Sequence, residues 1–314
     1  MYILLAKPRG FCAGVNMAVS ALEKAIERFG IPLYVYHEIV HNTIVVGEFR
    51  QRGVVFVDSI DDVPFGSVVI FSAHGVSPKV QLQSQERNLT VIDATCPLVR
   101  KVHEEVKYFS KQDYQIVLIG HPGHDEVIGV MNEAPERIQL VAQENDVETL
   151  TFETPPKRLA YLMQTTLSMT EAEKIVLRLR ERFPQIVGPA KDGICYATQN
   201  RQETVRHLVK KADVLLVLGS PNSSNSRRLS EIGKALGVRS YLVDGPEYVD
   251  LTIFQGTETV LITSGASAPE SVVQGTVELL CRTFSATVEE QVFCEETLQF
   301  ALPQELRQPE SRTL

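Results

Sequence analysis

The sequence predicts an α/β protein built from three modules of similar design, with mostly parallel sheets. Three observations predict this class. Short apolar, strand-like runs alternate along the chain with amphipathic helical patterns, which is typical of βαβ units. A cysteine stands in the turn between a strand-like run and a helix start three times, at Cys12, Cys96 and Cys195. Two polar loops follow each cysteine at matched spacings, so the repeat is about 90 residues long.

Taken in order, the strand-like runs are rich in Val, Ile and Leu, as expected where helices cover both faces of a parallel sheet. The predicted strands are 2–6, 33–36, 68–71, 90–92, 115–119, 159–163, 214–218, 240–243 and 260–263. The predicted helices are 15–30, 98–111, 170–183, 201–211, 226–236 and 269–284. We expect right-handed crossovers between the strands, and ligands beyond their carboxyl ends.

Turn residues before the second and third cysteines set the module boundaries. We predict a first α/β module at 1–95, a second at 96–190, a third at 191–284 and a C-terminal tail at 285–314. The tail breaks the repeat. Within it, 291–302 is predicted as a returning strand and 303–314 as a loose polar segment.

Composition narrows the possible functions. The 314 residues are 44% hydrophobic, enough for a substantial core, and the net charge of −8 argues against a general nucleic-acid binder. Apolar runs fall short of the roughly 20 residues that span a bilayer. The apolar run at 2–6 lacks the charge pattern of a signal peptide. Five cysteines without an export signal favour reduced thiols in the cytoplasm.

The three repeated cysteines are candidate metal ligands. Cys12, Cys96 and Cys195 each precede a helix, where the helix dipole and free N–H groups favour a thiolate. Cys281 lies in an apolar helical context and Cys294 lies in the tail, so neither is predicted to bind metal. Three thiolates from three repeated turns suit a metal centre.

The identity of the metal is argued by elimination. Structural zinc normally takes four ligands from close pairs such as C-x2-C, and the sequence has no such pair. A catalytic zinc with three thiolates and a water remains open. A [4Fe–4S] cluster held by three cysteines would leave one iron without a protein ligand, available to bind a substrate oxygen.

The polar loops predict an anion-binding collar. The first polar residue lies 28 or 29 residues after each cysteine, and the second lies 62 to 72 residues after it. Neutral donors at helix starts suit phosphate oxygens, although single Ser, Thr or Asn residues there also cap helices. His37, His103 and His207 are assigned structural roles. The predicted ligand-binding residues are His41, His74, His124, Thr165, Ser223, Ser224, Asn225 and Ser267.

These motifs resemble those of the 4-hydroxy-3-methylbut-2-enyl diphosphate reductase (LytB/IspH) family over about residues 1–282. The matching motifs are PRGFCAGV (8–15), HEIVHN (37–42), FSAHGVS (71–77), DATCPLV (93–99), GHPGHDEV (120–127), QTTLS (164–168), CYATQNRQ (195–202), NSSNS (222–226) and GASAPE (265–270). Members commonly differ at Asn16-Met17, at Thr43, at Arg100 and at Asp125, where proline is common.

The resemblance implies a trefoil of three pseudo-threefold-related modules around one central [4Fe–4S] cluster held by Cys12, Cys96 and Cys195. It implies reductive removal of the substrate hydroxyl to give isopentenyl and dimethylallyl diphosphate, in the last step of the non-mevalonate isoprenoid pathway. The leaving oxygen needs a proton, and Glu126, two residues after His124, is the predicted donor. Thr165 is predicted to orient the hydroxyl or a water beside it.

The charges near the three cysteine turns are mostly basic and predict a positive surface. Such a surface would suit a small acidic electron donor such as ferredoxin or flavodoxin. The basic residues include Lys7, Arg100, Lys101, Lys191 and Arg201. The same residues could instead cap helices or pair with nearby aspartates. Two further function classes share some features. A three-thiolate zinc hydrolase would use the same collar, and a non-catalytic iron–sulfur sensor would need no collar.

Overall fold

A computed structural model describes residues 1–152, 156–189 and 193–307. These residues divide into two compact units. The first unit comprises Met1–Val15, His41–Glu48 and Cys195–Leu298. The second comprises, as far as it is described, Asn16–Val40, Phe49–Ile194 and Gln299–Leu314.

The described residues form twelve strands and nine α-helices that alternate for most of the chain. The strands are β1 (Tyr2–Lys7), β2 (Leu33–Tyr36), β3 (Val54–Val57), β4 (Val68–Phe71), β5 (Thr90–Asp93), β6 (Gln115–Ile119), β7 (Ile138–Val141), β8 (Leu159–Met163), β9 (Val214–Leu218), β10 (Arg239–Val243), β11 (Thr259–Ser264) and β12 (Thr287–Val292). The helices are α1 (Ala13–Phe29), α2 (Thr43–Gln51), α3 (Pro78–Glu86), α4 (Pro97–Lys111), α5 (Asp125–Met131), α6 (Met169–Arg182), α7 (Tyr196–Leu208), α8 (Ser224–Ala235) and α9 (Glu270–Phe284).

The first unit is built on a parallel sheet with the strand order β10-β9-β11-β1-β12. Leu215 and Val217 of β9 face the apolar sides of α7 and α8, whereas Leu216 faces α9. Because helices cover both faces, successive residues of β9 are all buried. The first strand of the chain therefore lies inside the sheet of its last third.

The second unit contains two parallel sheets among its described residues, ordered β3-β2-β4-β5 and β7-β6-β8. Helices α4 and α5 pack on one face of β6 and β8 through Val106 and Val127. Helix α6 packs on the other face through Ile175 and Leu179. As in the first unit, the carboxyl ends of neighbouring parallel strands meet at one edge.

The predicted α/β class with mostly parallel sheets is confirmed. The nine predicted strands and six predicted helices all form, with ends that differ by a few residues. Five further elements were not predicted from the sequence, namely β3, β7, α2, α3 and α5. The first two are four-residue edge strands, and the three helices are short, so a clear apolar period does not develop. The module boundaries remain predictions.

The predicted tail structure is wrong. The strand is not 291–302 but β12, because its backbone pairs with β1 from Tyr2↔Thr287 to Lys7↔Val292. Residues 303–307 are not loose, since they form a short 3₁₀ turn in which Leu306 is buried. The rest of the predicted loose segment, 308–314, lies outside the described residues. In the part of the chain that is described, every helix is too short or too polar to cross a bilayer.

Candidate active site

The loops that carry predicted site residues of the first unit leave one edge of its sheet. Strands β9, β11 and β1 are neighbours, and they are followed by Ser223, Ser267 and Cys12, respectively. The carboxyl edge of a parallel sheet is where α/β proteins bind ligands. The strand order therefore explains why residues so far apart in sequence share one edge.

The turn before Cys12 is fixed by hydrogen bonds from its backbone. Gly10 has a φ of +74°, a backbone conformation that residues other than glycine adopt at a cost. Its N–H donates to Ser264 Oγ at 2.7 Å. The Cys12 N–H donates to the Ala266 carbonyl at 3.1 Å. Helix α1 then begins at Ala13. Both bonds tie the cysteine turn to the loop that carries Ser267.

Cys195 is the residue immediately before α7, and its helix start adjoins that of α1. The Ala13 N–H donates to Tyr196 Oη at 3.4 Å, and Cys195 Sγ lies 3.2 Å from Thr198 Oγ1. Burial raises the pKa of Tyr196 to about 12, with a smaller contribution from negative charge on Cys12. The phenol therefore stays protonated between the two cysteine turns of this unit.

The remaining predicted residues of the first unit form a serine–asparagine cluster, which we define as Ser223, Ser224, Asn225 and Ser267. Ser267 Oγ donates to the His41 carbonyl at 2.9 Å and lies 3.5 Å from Ser223 Oγ. Ser223 also caps α8, since its hydroxyl accepts from the Ser226 N–H at 3.3 Å. The capping role and the cluster are thus present together.

Asn225 has the most informative surroundings in the cluster. Its side chain is 97% buried, and neither Oδ1 nor Nδ2 has a hydrogen-bond partner among the described residues. A buried amide without partners is destabilising by about 1–3 kcal/mol. Such groups are rare, and one explanation is that they are kept for a bound ion or ligand. The amide also lies in the first turn of α8, where the helix dipole favours an anion.

In the second unit, Glu126 and Thr165 form a buried pair. Thr165 donates its N–H to Glu126 Oε1 at 2.7 Å and its hydroxyl to Oε2 at 2.8 Å. The loop after β8 and the start of α5 meet here because β8 and β6 are neighbouring strands. Glu126 is 2% exposed. Its carboxylate is thus held in one orientation by a threonine that can pass on or receive a proton.

His124 caps α5 and adjoins the pair. Its Nδ1 accepts a hydrogen bond from the Glu126 N–H at 3.2 Å, so in the neutral ring the proton is on Nε2. The ring of His74 lies edge-on to it, with the centroids 5.9 Å apart. The two histidines consequently form one polar surface next to Glu126.

Cys96, the third predicted cysteine ligand, precedes α4 in the second unit. Its N–H donates to the Ala73 carbonyl at 3.0 Å, which joins the cysteine turn to the loop of His74. Asp93 accepts from Thr95 and, at 2.9 Å, from Arg100. The arginine that departs from the family pattern is therefore an ion-pair partner of the preceding strand.

Asp125, another position at which the chain departs from the family pattern, has a partner that was not predicted from the sequence. Asp125 Oδ1 lies 2.8 Å from Nδ1 of His37 and Oδ2 lies 4.0 Å from Nδ1 of His74. The hydrogen bond that the ring donates to the Asp125 carboxylate raises the pKa of His37. Both His37 and Asp125 lie in motifs that were recognised in the sequence. Their pairing was not predicted, because it joins residues 88 positions apart.

The described structure therefore groups the predicted residues in two sets. The first unit brings together Cys12, Cys195, His41 and the serine–asparagine cluster. The second unit brings together Cys96, His74, His124, Glu126 and Thr165. All five cysteines are free thiols, but Cys281 packs against the α9 side of the core and Cys294 follows β12, where burial raises its pKa.

The donor set fits an iron–sulfur cluster. Three partly exposed free thiols stand directly before helices, and two of these helix starts are hydrogen-bonded neighbours. Thiolates are the usual ligands of such clusters. A parallel α/β scaffold with thiols before helix starts and a helix start suited to anions is typical of a metal-dependent enzyme that acts on an anionic substrate.

Comparison with known proteins identifies the group of proteins to which the chain is related. The chain belongs to the LytB protein family, whose model matches residues 3–281. It is 58% identical to the 4-hydroxy-3-methylbut-2-enyl diphosphate reductase of Rhodopirellula baltica over 98% of this chain and 96% of that protein. The corresponding enzyme of Mycobacterium ulcerans is 50% identical over 97% of this chain and 92% of that protein.

A solved structure has the same fold. The E-1-hydroxy-2-methyl-but-2-enyl-4-diphosphate reductase of Plasmodium falciparum superimposes with a TM-score of 0.94 and 39% identity, covering 97% of this chain and 96% of that one. A second reductase structure, described as the terminal enzyme of the non-mevalonate pathway, has a TM-score of 0.64 and 30% identity, covering 90% of this chain and 100% of that one.

Proposed function

We propose that the chain is a 4-hydroxy-3-methylbut-2-enyl diphosphate reductase. It removes the hydroxyl of that substrate reductively and gives isopentenyl and dimethylallyl diphosphate, in the last step of the non-mevalonate pathway. The structural observation that carries the proposal is the buried Glu126–Thr165 pair beside His124. Removal of a hydroxyl as water needs a positioned proton donor, and relatives with 58% and 50% identity carry this name.

Cys12, Cys96 and Cys195 would hold one [4Fe–4S] cluster per chain. Bound there, the cluster would supply electrons and a Lewis-acidic iron without a cysteine ligand. A helix begins directly after each cysteine, and the positive end of its dipole would favour the negative charge of a thiolate-bound cluster. Five free thiols among the described residues support our further proposal that the protein works in the reducing cytoplasm.

The reaction consumes two electrons and two protons: a C–O bond breaks, a C–H bond forms and water leaves. Glu126 supplies the proton to the departing oxygen, directly or through Thr165. The threonine hydroxyl can reverse its hydrogen bond, donating to the carboxylate in one state and accepting from the carboxylic acid in the other. Burial excludes bulk water, so the proton is delivered to the substrate rather than exchanged at random.

The diphosphate is bound by the predicted collar. Nε2–H of His124 and the amide of Asn225 supply donors, and the start of α8 supplies the positive end of its helix dipole. Neutral donors hold the diphosphate without a nearby positive charge that would favour the deprotonated form of Glu126. The full proposed set of diphosphate ligands is His41, His74, His124, Thr165, Ser223, Ser224, Asn225 and Ser267.

A small acidic protein such as ferredoxin or flavodoxin is the proposed electron donor, but the surface available to it is smaller than the sequence indicated. Arg201 is fully buried, and Arg100 is paired with Asp93. Lys191 lies outside the described residues. Lys101 is 41% exposed and pairs with Glu105 at 3.4 Å. Lys101→Glu should slow turnover with the protein donor at low ionic strength and leave turnover with a small reductant unchanged; equal loss with both reductants would contradict the proposal.

The function is tested by anaerobic purification followed by three measurements on one sample: iron and labile sulfide content, visible absorption, and turnover of the substrate with reduced viologen. We expect about four irons per chain and formation of both products. Zinc in place of iron, with phosphate release, would indicate a three-thiolate hydrolase. A cluster without turnover would indicate a sensor.

A further inference from the structure

A fully buried arginine links the two cysteine turns of the first unit. Arg201 lies in the second turn of α7, and its side chain has no solvent exposure. Nη2 donates to the Gly10 carbonyl at 2.8 Å, two residues before Cys12, and Nη1 donates to the Ala197 carbonyl at 3.0 Å, two residues after Cys195. One guanidinium thus bonds the backbone on both sides.

The charge of this arginine is balanced by the C-terminal segment. Nη1 of Arg201 lies 3.0 Å from Oε1 and 3.1 Å from Oε2 of Glu296. Glu296 also accepts from Asn200 Nδ2 at 3.0 Å, and its side chain is 13% exposed. Removing one partner of a buried ion pair leaves the other charge uncompensated, which is strongly destabilising. Arg201 therefore depends on Glu296 to remain where it is.

The same segment is attached along β1, directly before the Cys12 turn. Strand β12 pairs with β1 as far as Lys7↔Val292, and the Phe293 N–H donates to the Lys7 carbonyl at 2.9 Å. Arg9, whose side chain is 11% exposed, bonds Glu290 at 2.8 Å and Glu270 at 2.8 Å. The segment thus contacts the residues before Cys12 at three successive points.

We infer that the segment 287–298 holds the turns of Cys12 and Cys195 in a fixed relation, with Glu296 and Arg201 as positioning residues. The segment lies beyond the residues that the family model matches. This inference rests on the proposed function in that the two cysteines are taken as cluster ligands. Its geometric content, that Glu296 keeps two thiols in place, does not depend on the cluster.

The test compares Glu296→Ala with Glu295→Ala in the full-length protein. Glu295 is the neighbouring carboxylate, 61% exposed, and its pair with Lys7 at 3.0 Å is a surface contact of small energetic value. In the iron-loaded protein, we expect Glu296→Ala to lose iron to a chelator about tenfold faster than wild type, since the buried Arg201 is left unpaired. The rate of iron loss from Glu295→Ala should stay within about twofold of wild type. Glu296→Gln should lose iron at an intermediate rate, because its one amide oxygen can still accept from Arg201 and Asn200 but carries no charge.

A second measurement separates positioning from general stability. After chelation of iron, alkylation rates of individual cysteines are measured by mass spectrometry in the full-length chain. Glu296→Ala should speed alkylation of Cys12 and Cys195 and leave Cys96 and Cys281 unchanged. A parallel increase at all four thiols would make Glu296 a general stabiliser and overturn the inference, as would unchanged iron release. If wild-type protein bound no iron, the proposed function would fail, while the alkylation pattern would still decide the positioning role.

Discussion

Replacement of Asn225 by leucine should make the protein more stable and the substrate affinity weaker. Leucine is close to asparagine in size but carries no polar atoms. Both polar atoms of the Asn225 side chain are buried without a partner among the described residues. If the amide is kept for a diphosphate oxygen, its removal relieves a cost in the free protein and removes a contact in the complex.

The magnitudes follow from the burial. The side chain is 3% exposed, so an unpaired amide costs about 1–3 kcal/mol of unfolding free energy, which Asn225→Leu recovers in part. For a chain of this size, each kcal/mol corresponds to roughly 2–4 °C in Tm. A hydrogen bond to a charged oxygen contributes about 1.5–3 kcal/mol, so the dissociation constant should rise about 10–100-fold.

Thermal melting of ligand-free protein and calorimetric titration with the substrate, both under anaerobic conditions, measure the two quantities. Asn42 provides a control because it is also a buried asparagine whose Nδ2 has no partner among the described residues, but its Oδ1 accepts from the Val45 N–H at 3.0 Å. Asn42→Leu also removes a hydrogen bond that is made, so its Tm should lie below that of Asn225→Leu. A lower Tm for Asn225→Leu combined with unchanged affinity would refute the argument.

Three further outcomes are expected. Glu126→Gln keeps both contacts with Thr165, because the threonine hydroxyl can turn to accept from the new amide. Substrate binding should therefore persist while turnover falls about 10²–10⁴-fold. A steady-state rate near that of wild type would contradict the role of Glu126 as proton donor. Serine at any cysteine that precedes a helix should lower bound iron, whereas Cys281→Ser should keep it; elemental analysis of each variant decides. Asp125→Asn should reduce the free energy of unfolding by about 0.5–1 kcal/mol at pH 6 and by much less at pH 9. Urea unfolding at the two pH values measures this, and equal losses at both would show that the ion pair with His37 is not the cause.

The sign of the last effect follows from the pKa of His37. The hydrogen bond to the Asp125 carboxylate raises this pKa above the unfolded value, so the folded state binds the proton more tightly. The stabilisation is complete below the unfolded pKa of about 6.5 and is lost as the pH rises through the higher folded value. Asp125→Asn removes the carboxylate, so the difference from wild type is confined to the acidic side.

The sequence predicted those parts of the structure that depend on local pattern. Strands such as β9 are continuous apolar runs, and the cysteines precede helices because turn residues and apolar periods mark those sites. Polar residues at strand ends were therefore recognisable as one edge of each sheet. The reaction predicted at that edge, including the roles proposed for Glu126 and Thr165, was inferred with the help of the family resemblance.

Long-range pairing decided the rest. Strand β12 has polar residues at most positions and is largely exposed, so only its backbone bonds to β1 reveal it. Arg201 has the sequence context of a surface helix residue, yet it is buried because a carboxylate 95 positions later reaches it. The His37–Asp125 contact is hidden from local patterns for the same reason. Such contacts form between elements whose meeting is set by tertiary packing.

The position of β1 has a consequence for synthesis of the protein. Both neighbours of this strand are made more than 250 residues later, as the pairs Tyr2↔Thr259 and Tyr2↔Thr287 indicate. During translation, the first strand must therefore wait, unpaired and apolar, until the ribosome has released nearly all of the described chain. The turn of Cys12 is completed only then, so a metal centre that uses this thiol is assembled after translation rather than on the nascent chain. Chaperones would accordingly meet a chain whose first strand still lacks both of its neighbours in the sheet.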